Sequence, residues 1–323
     1  MPDNRTLIHT AFVLLLPLIV AAFGLSLWSA LLLVLIALAW RWAIVLLGIV
    51  RPARTPELVL ETISASHYVE KVRWCMDRLG LEYTERPWGG TLGAFYLGRT
   101  VPRLIFRTGL VHSQIGNSPE ILRFLWGAYS ASHGDAANFL EPTPERQELE
   151  RRIDRYGSNL QVWVYYHVLD DPELCKHLWG IDDLATPWWQ RKLIGVLFPL
   201  QAFLIGKAFR TDERHYKQSC HHIEALLEDL DTRLADGRSS ILGGDVINYT
   251  DLAFAAISGL WLQPVEYGGG AGIRVDRARV PQAMRDDIER WIEDYPRATA
   301  FITHLYTEER QVPGRPDDTG AGQ

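Results

Sequence analysis

The stretch "ETISASHYVEKVRWCMDRLG", residues 61–80, passes from the end of a strand through a short turn into a helix. One face of the predicted helix, residues 67–79, is apolar at helical spacing and is formed by Val69, Val72, Met76 and Leu79. Gly80 follows, where helices commonly end in a left-handed residue. Ser66 stands immediately before the helix, in the position typical of an N-cap. What else its hydroxyl does depends on the rest of the chain.

Strands on both sides of this stretch predict a small α/β domain. The strands are predicted at 58–63, 81–87, 100–106 and 110–113, and a second helix is predicted at 117–129. Because a crossover helix joins the first two strands, we expect them to be parallel. Pro102 falls at the start of the third strand, where a sheet tolerates proline.

After a linker at 133–145, everything is predicted to be helical. The helical segments are 146–169, 187–209, 212–236, 248–262 and 284–306. The fourth of these opens with Asn248 as N-cap and Asp251 three residues later, an arrangement like a capping box. It is apolar on nearly all faces, so we expect it to be the central helix of the helical domain.

The segment 187–209 is apolar enough to raise the question of whether it crosses a membrane. It contains Arg191 and Lys192 near its start and Pro199 in its middle. These residues favour a core helix interrupted at the proline over a membrane span.

The first 50 residues have the composition of a membrane segment. Residues 6–40 contain no Asp, Glu, Lys or Arg, and the apolar composition continues to Val50 apart from Arg41. This length exceeds one upright span of about 20 residues. Two readings stay open: a hairpin of two spans, or a single tilted span followed by an interfacial stretch. A cleaved signal peptide is excluded, because its apolar core would be far shorter.

Charge and cysteine content exclude several classes of protein. The net charge is −6 and the sequence pI is about 5.9, which argues against a nucleic-acid-binding protein. The three cysteines, Cys75, Cys175 and Cys220, are far apart and predict neither a disulfide framework nor a metal site. His215 and His222 lie two helical turns apart but lack a carboxylate that would complete a site. We therefore expect no metal and a reducing compartment.

Four motifs, in this order, resemble those of the glutathione S-transferase superfamily. They are "SHYVEKVRWCMDRLGLEY" (66–83), "TVPRLIF" (100–106), "NSPEILRFL" (117–125) and "ILGGDVINYTDLAFAA" (241–256). The resemblance implies an α/β plus all-α fold, in which a thioredoxin-like βαβ-ββα domain precedes a helical bundle domain. In this chain, one or two transmembrane helices are expected before these two domains.

The resulting domain prediction has four parts. They are a membrane anchor and linker at 1–54, a thioredoxin-like glutathione-binding domain at 55–132, a helical domain at 133–310 and a disordered tail at 311–323. We expect the protein to lie in the bacterial inner membrane. Because arginines follow the apolar segment, we expect the globular domains to face the cytoplasm. The family resemblance also implies a possible homodimer.

The resemblance gives Ser66 a catalytic role, since it falls at the family's Ser or Cys position before the first helix. A hydroxyl that donates to the sulfur of glutathione, near the positive end of a helix dipole, favours the thiolate and lowers the thiol pKa. The alternative is that Ser66 is only the N-cap of the helix. The two roles are compatible.

The other expected glutathione contacts depart in part from the family pattern. Val101 matches the residue whose backbone pairs with the peptide part of glutathione, next to a cis proline. Asn117 and Ser118 match the pair that holds the γ-glutamyl group, although the family usually has Glu or Gln at the first position. His67 replaces a proline and is either a polar group near the sulfur or an exposed first-turn residue. Arg99 either meets a glutathione carboxylate or is a solvated loop residue.

Three functions follow from these observations. The first is a membrane-anchored enzyme that conjugates glutathione to hydrophobic electrophiles or reduces them, with Trp163 and Tyr166 expected in the hydrophobic pocket. Tyr165 lies on the same helix and is a further candidate for this wall; the alternative is that at least two of the three are core residues. The second is a non-catalytic binding or assembly module at the membrane, which the substitutions Asn117 and His67 favour. The third, glutathione-dependent thiol–disulfide reduction or isomerisation, is opposed by the absence of a cysteine at position 66.

Overall fold

A computed structural model describes most of the chain. The described residues are 24, 26–50, 56–63, 65–90, 92, 101–108, 111–270 and 272–310. The chain divides into two compact units, Met1–Val59 with Ile105–Gln114 and Leu60–Leu104 with Ile115–Gln323. The predicted domain boundaries stay predictions, and the tail from residue 311 lies outside the described residues.

The first described helix is α1, Leu27–Val50, which has 24 residues. Its large apolar side chains are exposed, among them Trp28, Leu35 and Trp42. The earlier part of the apolar segment, on which the choice between one and two spans depends, lies outside the described residues.

Four strands form one small sheet. They are β1, Glu57–Ile63; β2, Tyr83–Trp88; β3, Arg103–Thr108; and β4, Val111–Gly116. Their order across the sheet is β2-β1-β3-β4. Helix α2, His67–Arg78, joins β1 to β2, and α3, Ser118–His133, follows β4. The element order βαβ-ββα agrees with the prediction. The strands contribute buried apolar side chains to the core, among them Leu58, Leu60 and Leu104.

The remainder of the described chain is helical. Its helices are α4, Pro144–Val168; α5, Pro172–Leu178; α6, Trp188–Phe209; α7, Glu213–Arg233; α8, Tyr249–Leu262; α9, Gln282–Asp294; and α10, Pro296–His304. Helix α8 packs against α2, α4 and α10, so it is central to this region, as predicted. The small sheet with its helices and the larger helical region make the described chain mostly helical.

The predicted capping box of α8 is confirmed. Asn248 Oδ1 accepts a hydrogen bond from the Thr250 amide at 3.0 Å, and the Asn248 amide donates to Asp251 Oδ2 at 2.9 Å. Asp251 is fully buried and also accepts from the Ile241 amide at 2.8 Å. The N-terminus of the central helix is therefore fixed by buried hydrogen bonds to the preceding loop.

Helix α6 differs from the core helix that the sequence predicted. The helix runs without a break through Pro199. Only 22% of its most apolar stretch is buried within the protein. By length and composition, it is the one helix among the described residues that is able to cross a membrane; a shorter apolar stretch, Leu31–Ala43, lies within α1.

Buried ion pairs tie α2 to the helical region. Lys71 Nζ lies 2.8 Å from Glu150 Oε1 and 3.0 Å from Asp154 Oδ1, and Arg123 pairs with the other oxygen of Glu150. Burial alone would lower the pKa of Lys71, but the negative charges of Asp154 and Glu150 raise it above its ordinary value. The lysine is therefore charged, and its two partners hold the start of α2 against α4.

Candidate functional site

A cavity of about 1080 Å³ lies beside the turn that precedes α2. Its polar lining comes from this turn, from the residue before α3 and from the middle of α4. Its apolar lining comes from the second half of α4 and from the last turns of α6, with Val162, Val164, Leu204 and Phe209 as examples. This composition suits a ligand with one polar and one apolar part.

Ser66 lines the cavity and occupies the N-cap position of α2. Its carbonyl oxygen accepts from the amides of Val69 at 3.0 Å and Glu70 at 3.1 Å. Its hydroxyl makes no capping hydrogen bond in the part of the chain that the structure describes. Ser66 is therefore an N-cap by position only, and its hydroxyl stands at the positive end of the α2 dipole without serving the helix.

His67 also lines the cavity, but it is 1% exposed, so the alternative of an exposed first-turn residue is wrong. Gly157 of α4 makes room for it, because a Cβ atom at that position would lie 3.0 Å from His67 Nε2. Burial lowers the pKa of His67 to about 3. The imidazole is therefore neutral at pH 7 and adds no charge to the site.

Val101 and Asn117 meet at the same cavity. The Val101–Pro102 peptide bond is cis, and the carbonyl of Pro102 accepts from the Asn117 amide at 3.0 Å. Asn117 has φ 73°, a strained conformation for a residue other than glycine, of a kind that clusters at functional sites. Next to it, Ser118 does not itself line the cavity, and its Oγ is buried and has no hydrogen-bond partner within the described residues. Arg99 lies outside the described residues.

A second group of polar residues at the cavity was not predicted from the sequence. Tyr68 Oη donates to the carbonyl oxygen of Asp154 at 2.8 Å and lies 3.1 Å from Ser158 Oγ. The Asp154 carboxylate pairs with Lys71, yet burial raises the pKa of Asp154 above its usual range. The polar residues of α4 that line the cavity follow helical spacing and include Asp154, Ser158 and Gln161. That polar stripe is the signal that would have located them.

The structure places neither Trp163 nor Tyr166 on the cavity wall. Trp163 is fully buried, and its Nε1 donates to Asp287 Oδ2 at 2.9 Å. Tyr166 stacks on Tyr216, with ring centroids 4.1 Å apart. Tyr165, the third aromatic residue named for this wall, does line the cavity, together with Val162, because successive helix residues point about 100° apart.

Cysteine and metal chemistry find little support at this site. Cys75, on α2, is fully buried, and burial raises its pKa to about 12, so the thiol stays protonated. Among the described residues there is no group of three or more His, Cys, Asp or Glu side chains arranged to hold a metal ion. His221 and His222 have ring centroids 6.0 Å apart and lie on α7, away from the cavity lining.

No family model and no curated protein matches this chain. Solved structures similar to it include a glutathione transferase family member from Pseudomonas fluorescens Pf-5 with two glutathione bound. That structure has 13% identity and a TM-score of 0.44, over 78% of this chain and 88% of the other.

Two further structures are similar over most of their length. A glutathione S-transferase from Methylobacterium radiotolerans, in complex with glutathione sulfonate, has 15% identity and a TM-score of 0.44 over 81% of this chain and 98% of the other. FzlA from C. crescentus has 15% identity and a TM-score of 0.41 over 77% and 87%. At such low similarity, the function of this chain has to be inferred from its own residues.

Proposed function

We propose that this protein is a membrane-anchored glutathione transferase that conjugates glutathione to hydrophobic electrophiles or reduces them. The observation that carries the proposal is the hydroxyl of Ser66, which lines the cavity at the N-terminus of α2 and makes no capping bond. Three of the four sequence motifs support the same conclusion, since they contribute Ser66, Val101 and Asn117 to one cavity.

The residues present fit glutathione. The tripeptide carries two carboxylates, an ammonium group and a peptide backbone, all of which need hydrogen-bonding partners. Ser118 Oγ is a buried polar atom without a partner among the described residues, and it stands beside the strained backbone of Asn117. A ligand group that bonds to Ser118 would remove the cost of leaving this hydroxyl unsatisfied. Val101 offers the backbone edge for the peptide part.

Glutathione, when bound, supplies a thiol as the nucleophile. Ser66 donates its hydroxyl hydrogen toward the sulfur position, and this bond is stronger for a thiolate than for a thiol. The amide groups of the first turn of α2 add positive potential at the same place. His67 stays neutral, and Val162 and Phe209 hold apolar surface against the electrophile.

The membrane anchor in this proposal is the apolar N-terminal segment. Residues 6–40 contain no Asp, Glu, Lys or Arg, and a span of about 20 apolar residues is sufficient to cross the hydrocarbon core. Anchoring holds the enzyme where hydrophobic electrophiles accumulate. The cytoplasmic orientation follows from the arginines after the segment.

The second candidate is a binding or assembly module without catalysis, and Asn117 is the observation that favours it. The side chain of Asn117 is short and uncharged, and so it is a weaker partner for an ammonium group than the family's Glu. Fold alone does not establish activity.

One experiment separates the two candidates. The full-length chain in detergent micelles is titrated calorimetrically with glutathione, and product formation is followed with a chromogenic aryl halide. We expect saturable binding and glutathione-dependent product. S-methyl glutathione is the control, because it keeps the contacts of the tripeptide but has no free thiol. Binding without product supports the module. Absence of glutathione binding removes the enzyme and leaves the module, whose partner is then another molecule.

A further inference from the structure

Helix α6, Trp188–Phe209, has one face buried against the protein and another face that is apolar and exposed. The face toward the protein is buried and consists of Gln190, Ile194, Phe198, Gln201 and Ile205. The opposite face consists of Trp189, Leu193, Val196, Leu200, Phe203 and Leu204. On this second face Val196 is 68% exposed and Phe203 is 60% exposed. A continuous row of large apolar side chains that the described residues leave exposed marks an interaction surface.

The charges of this helix indicate what covers the exposed face. From Trp188 to Phe209 there is no acidic residue, whereas Arg191 and Lys192 lie near the start and Lys207 in the last turn. Trp188, 69% exposed, stands at the first turn. Cations at both ends, an interfacial tryptophan and an aliphatic centre make up the composition of a helix that binds an anionic lipid surface.

The packing of α6 against the protein argues against a membrane crossing by this helix. Near its start, Gln190 Oε1 accepts from the Gly89 amide at 2.6 Å. In its middle, the Phe198 ring lies 5.4 Å from Trp179, and at its end the Phe209 ring lies 5.0 Å from Tyr165. These contacts hold the whole length of the helix to the protein. A spanning helix would have to give up all of them.

A second copy of the chain fits this face less well than lipid does. If two copies of α6 packed antiparallel, Lys192 of one copy would approach Lys207 of the other. If they packed parallel, identical cations would meet. Either pairing places like charges together, and no acidic residue on the helix compensates them.

We propose that the exposed face of α6 docks on an anionic lipid bilayer and that the cavity beside it receives substrates from the lipid. Leu204 joins the two surfaces, since it lines the cavity and is also 38% exposed. Ala208 and Phe209, one turn further, line the same cavity. The substrate route rests on the proposed function given above. The docking of α6 on lipid does not rest on it.

The test measures lipid contact at α6 in the full-length chain. Val196→Cys and Phe203→Cys are each labelled with bimane and reconstituted in nanodiscs of phosphatidylcholine with or without phosphatidylglycerol. Val246→Cys, at an equally exposed valine outside α6, is the matched control. The native cysteines are all buried, so the introduced thiol reacts first. Doxyl-labelled lipids then report whether each bimane lies within the acyl region.

We expect both α6 positions to lose more than about half of their emission to the doxyl lipids, as suits a face that enters the acyl boundary. The loss should be greater with phosphatidylglycerol and small at position 246. Absence of quenching at 196 and 203 overturns the proposal. A disulfide between two unlabelled copies of Phe203→Cys would not change that conclusion. Equal quenching at 246 also overturns it, because the contact would then not be specific to α6.

The substrate route is read separately. Leu200→Glu and Val246→Glu are compared in the same nanodiscs with two aryl halides, one water-soluble and one that partitions into lipid. We expect Leu200→Glu alone to lose turnover of the lipid-soluble halide while glutathione binding is unchanged. Equal turnover of both halides in Leu200→Glu overturns the route. Quenching without any glutathione binding by the wild type keeps the docking surface and removes the enzymatic function.

Discussion

Helices α8 and α6 both carry apolar side chains on nearly every side, yet the protein covers them differently. In α8, Ala253, Phe254 and Ile257 are fully buried among α2, α4 and α10. In α6, one face is buried and the opposite face is exposed along its whole length. The difference shows that a sequence apolar on all sides predicts a helix that is removed from water. Such a sequence does not indicate whether protein or lipid surrounds the helix.

A pair of phenylalanines provides the largest expected effect. Phe254→Ala in α8 removes a fully buried ring, and we expect the free energy of unfolding to fall by about 3–5 kcal/mol. Phe203→Ala in α6 removes a ring that is 60% exposed, and we expect a change within about 0.5 kcal/mol. Both are measured by urea unfolding of the full-length chain in micelles, followed by circular dichroism. Equal losses would mean that protein covers both helices.

His67 extends the comparison to a buried group that responds to pH. An unfolded chain protonates this histidine near pH 6.5, whereas the folded protein does so only near pH 3. The unfolded state therefore binds more protons in this range, and stability falls as the pH falls from 6.5 toward 3. The loss from this residue at pH 5 is about 2 kcal/mol, since one pKa unit corresponds to about 1.4 kcal/mol.

The measurement compares the wild type with His67→Gln at several pH values between 7 and 4. We expect the variant to show a shallower fall of unfolding free energy with decreasing pH. Parallel curves for the two proteins would show that His67 is accessible to protons in the folded state. The exposed face of α6 carries no comparable group, so its lipid contact should not change over this range.

Much of the fold was predictable because local signals agree with each other. The apolar spacing of 67–79, its N-cap position and Gly80 predicted α2 to within one residue of His67–Arg78. The capping box at Asn248 located α8 for the same reason. The exposure of α6 was not predictable, because spacing reports which residues share a face and not what lies opposite it.

The site was predictable where a motif reaches it. Ser66, Val101 and Asn117 were named from such motifs and lie on one cavity. The bond from Tyr68 to Asp154 joins positions 86 residues apart, and no local pattern encodes such a contact. The pocket wall on α4 depends on the rotation of the helix, so a shift of one residue separates buried Trp163 from Val162 at the cavity.

Asn248→Ala sharpens the comparison at the start of α8, with a smaller effect. Asn248 Oδ1 accepts from the Thr250 amide and from Thr250 Oγ1, and the residue is 3% exposed. Loss of this buried N-cap should cost about 1–2 kcal/mol and lower the melting temperature, as measured by thermal unfolding. Asp212→Ala, at the exposed N-cap of α7, is the control and should cost less. An unchanged melt together with lost glutathione binding would contradict the structural role of Asn248.

Two helix N-termini repeat the comparison on a smaller scale. The Thr143 hydroxyl accepts from the Arg146 amide at 3.3 Å and thereby caps α4. The Ser66 hydroxyl makes no such bond to α2 and instead lines the cavity. Thr143→Ala should therefore reduce stability by about 1 kcal/mol. Ser66→Ala should change stability least of all the substitutions considered.

The effect of Ser66→Ala is expected in the titration of bound glutathione. The hydroxyl bonds a thiolate more strongly than a thiol, so its removal disfavours ionisation and raises the pKa of the bound thiol. A hydrogen bond to a charged group contributes about 1.5–3 kcal/mol, which corresponds to about one to two pKa units. The thiolate absorbs in the near ultraviolet, so its formation is followed directly as the pH of the complex is raised. Thr143→Ala should leave this titration where it is in the wild type. A titration unchanged in Ser66→Ala, together with a loss of stability like that of Thr143→Ala, would show that Ser66 is a helix cap alone.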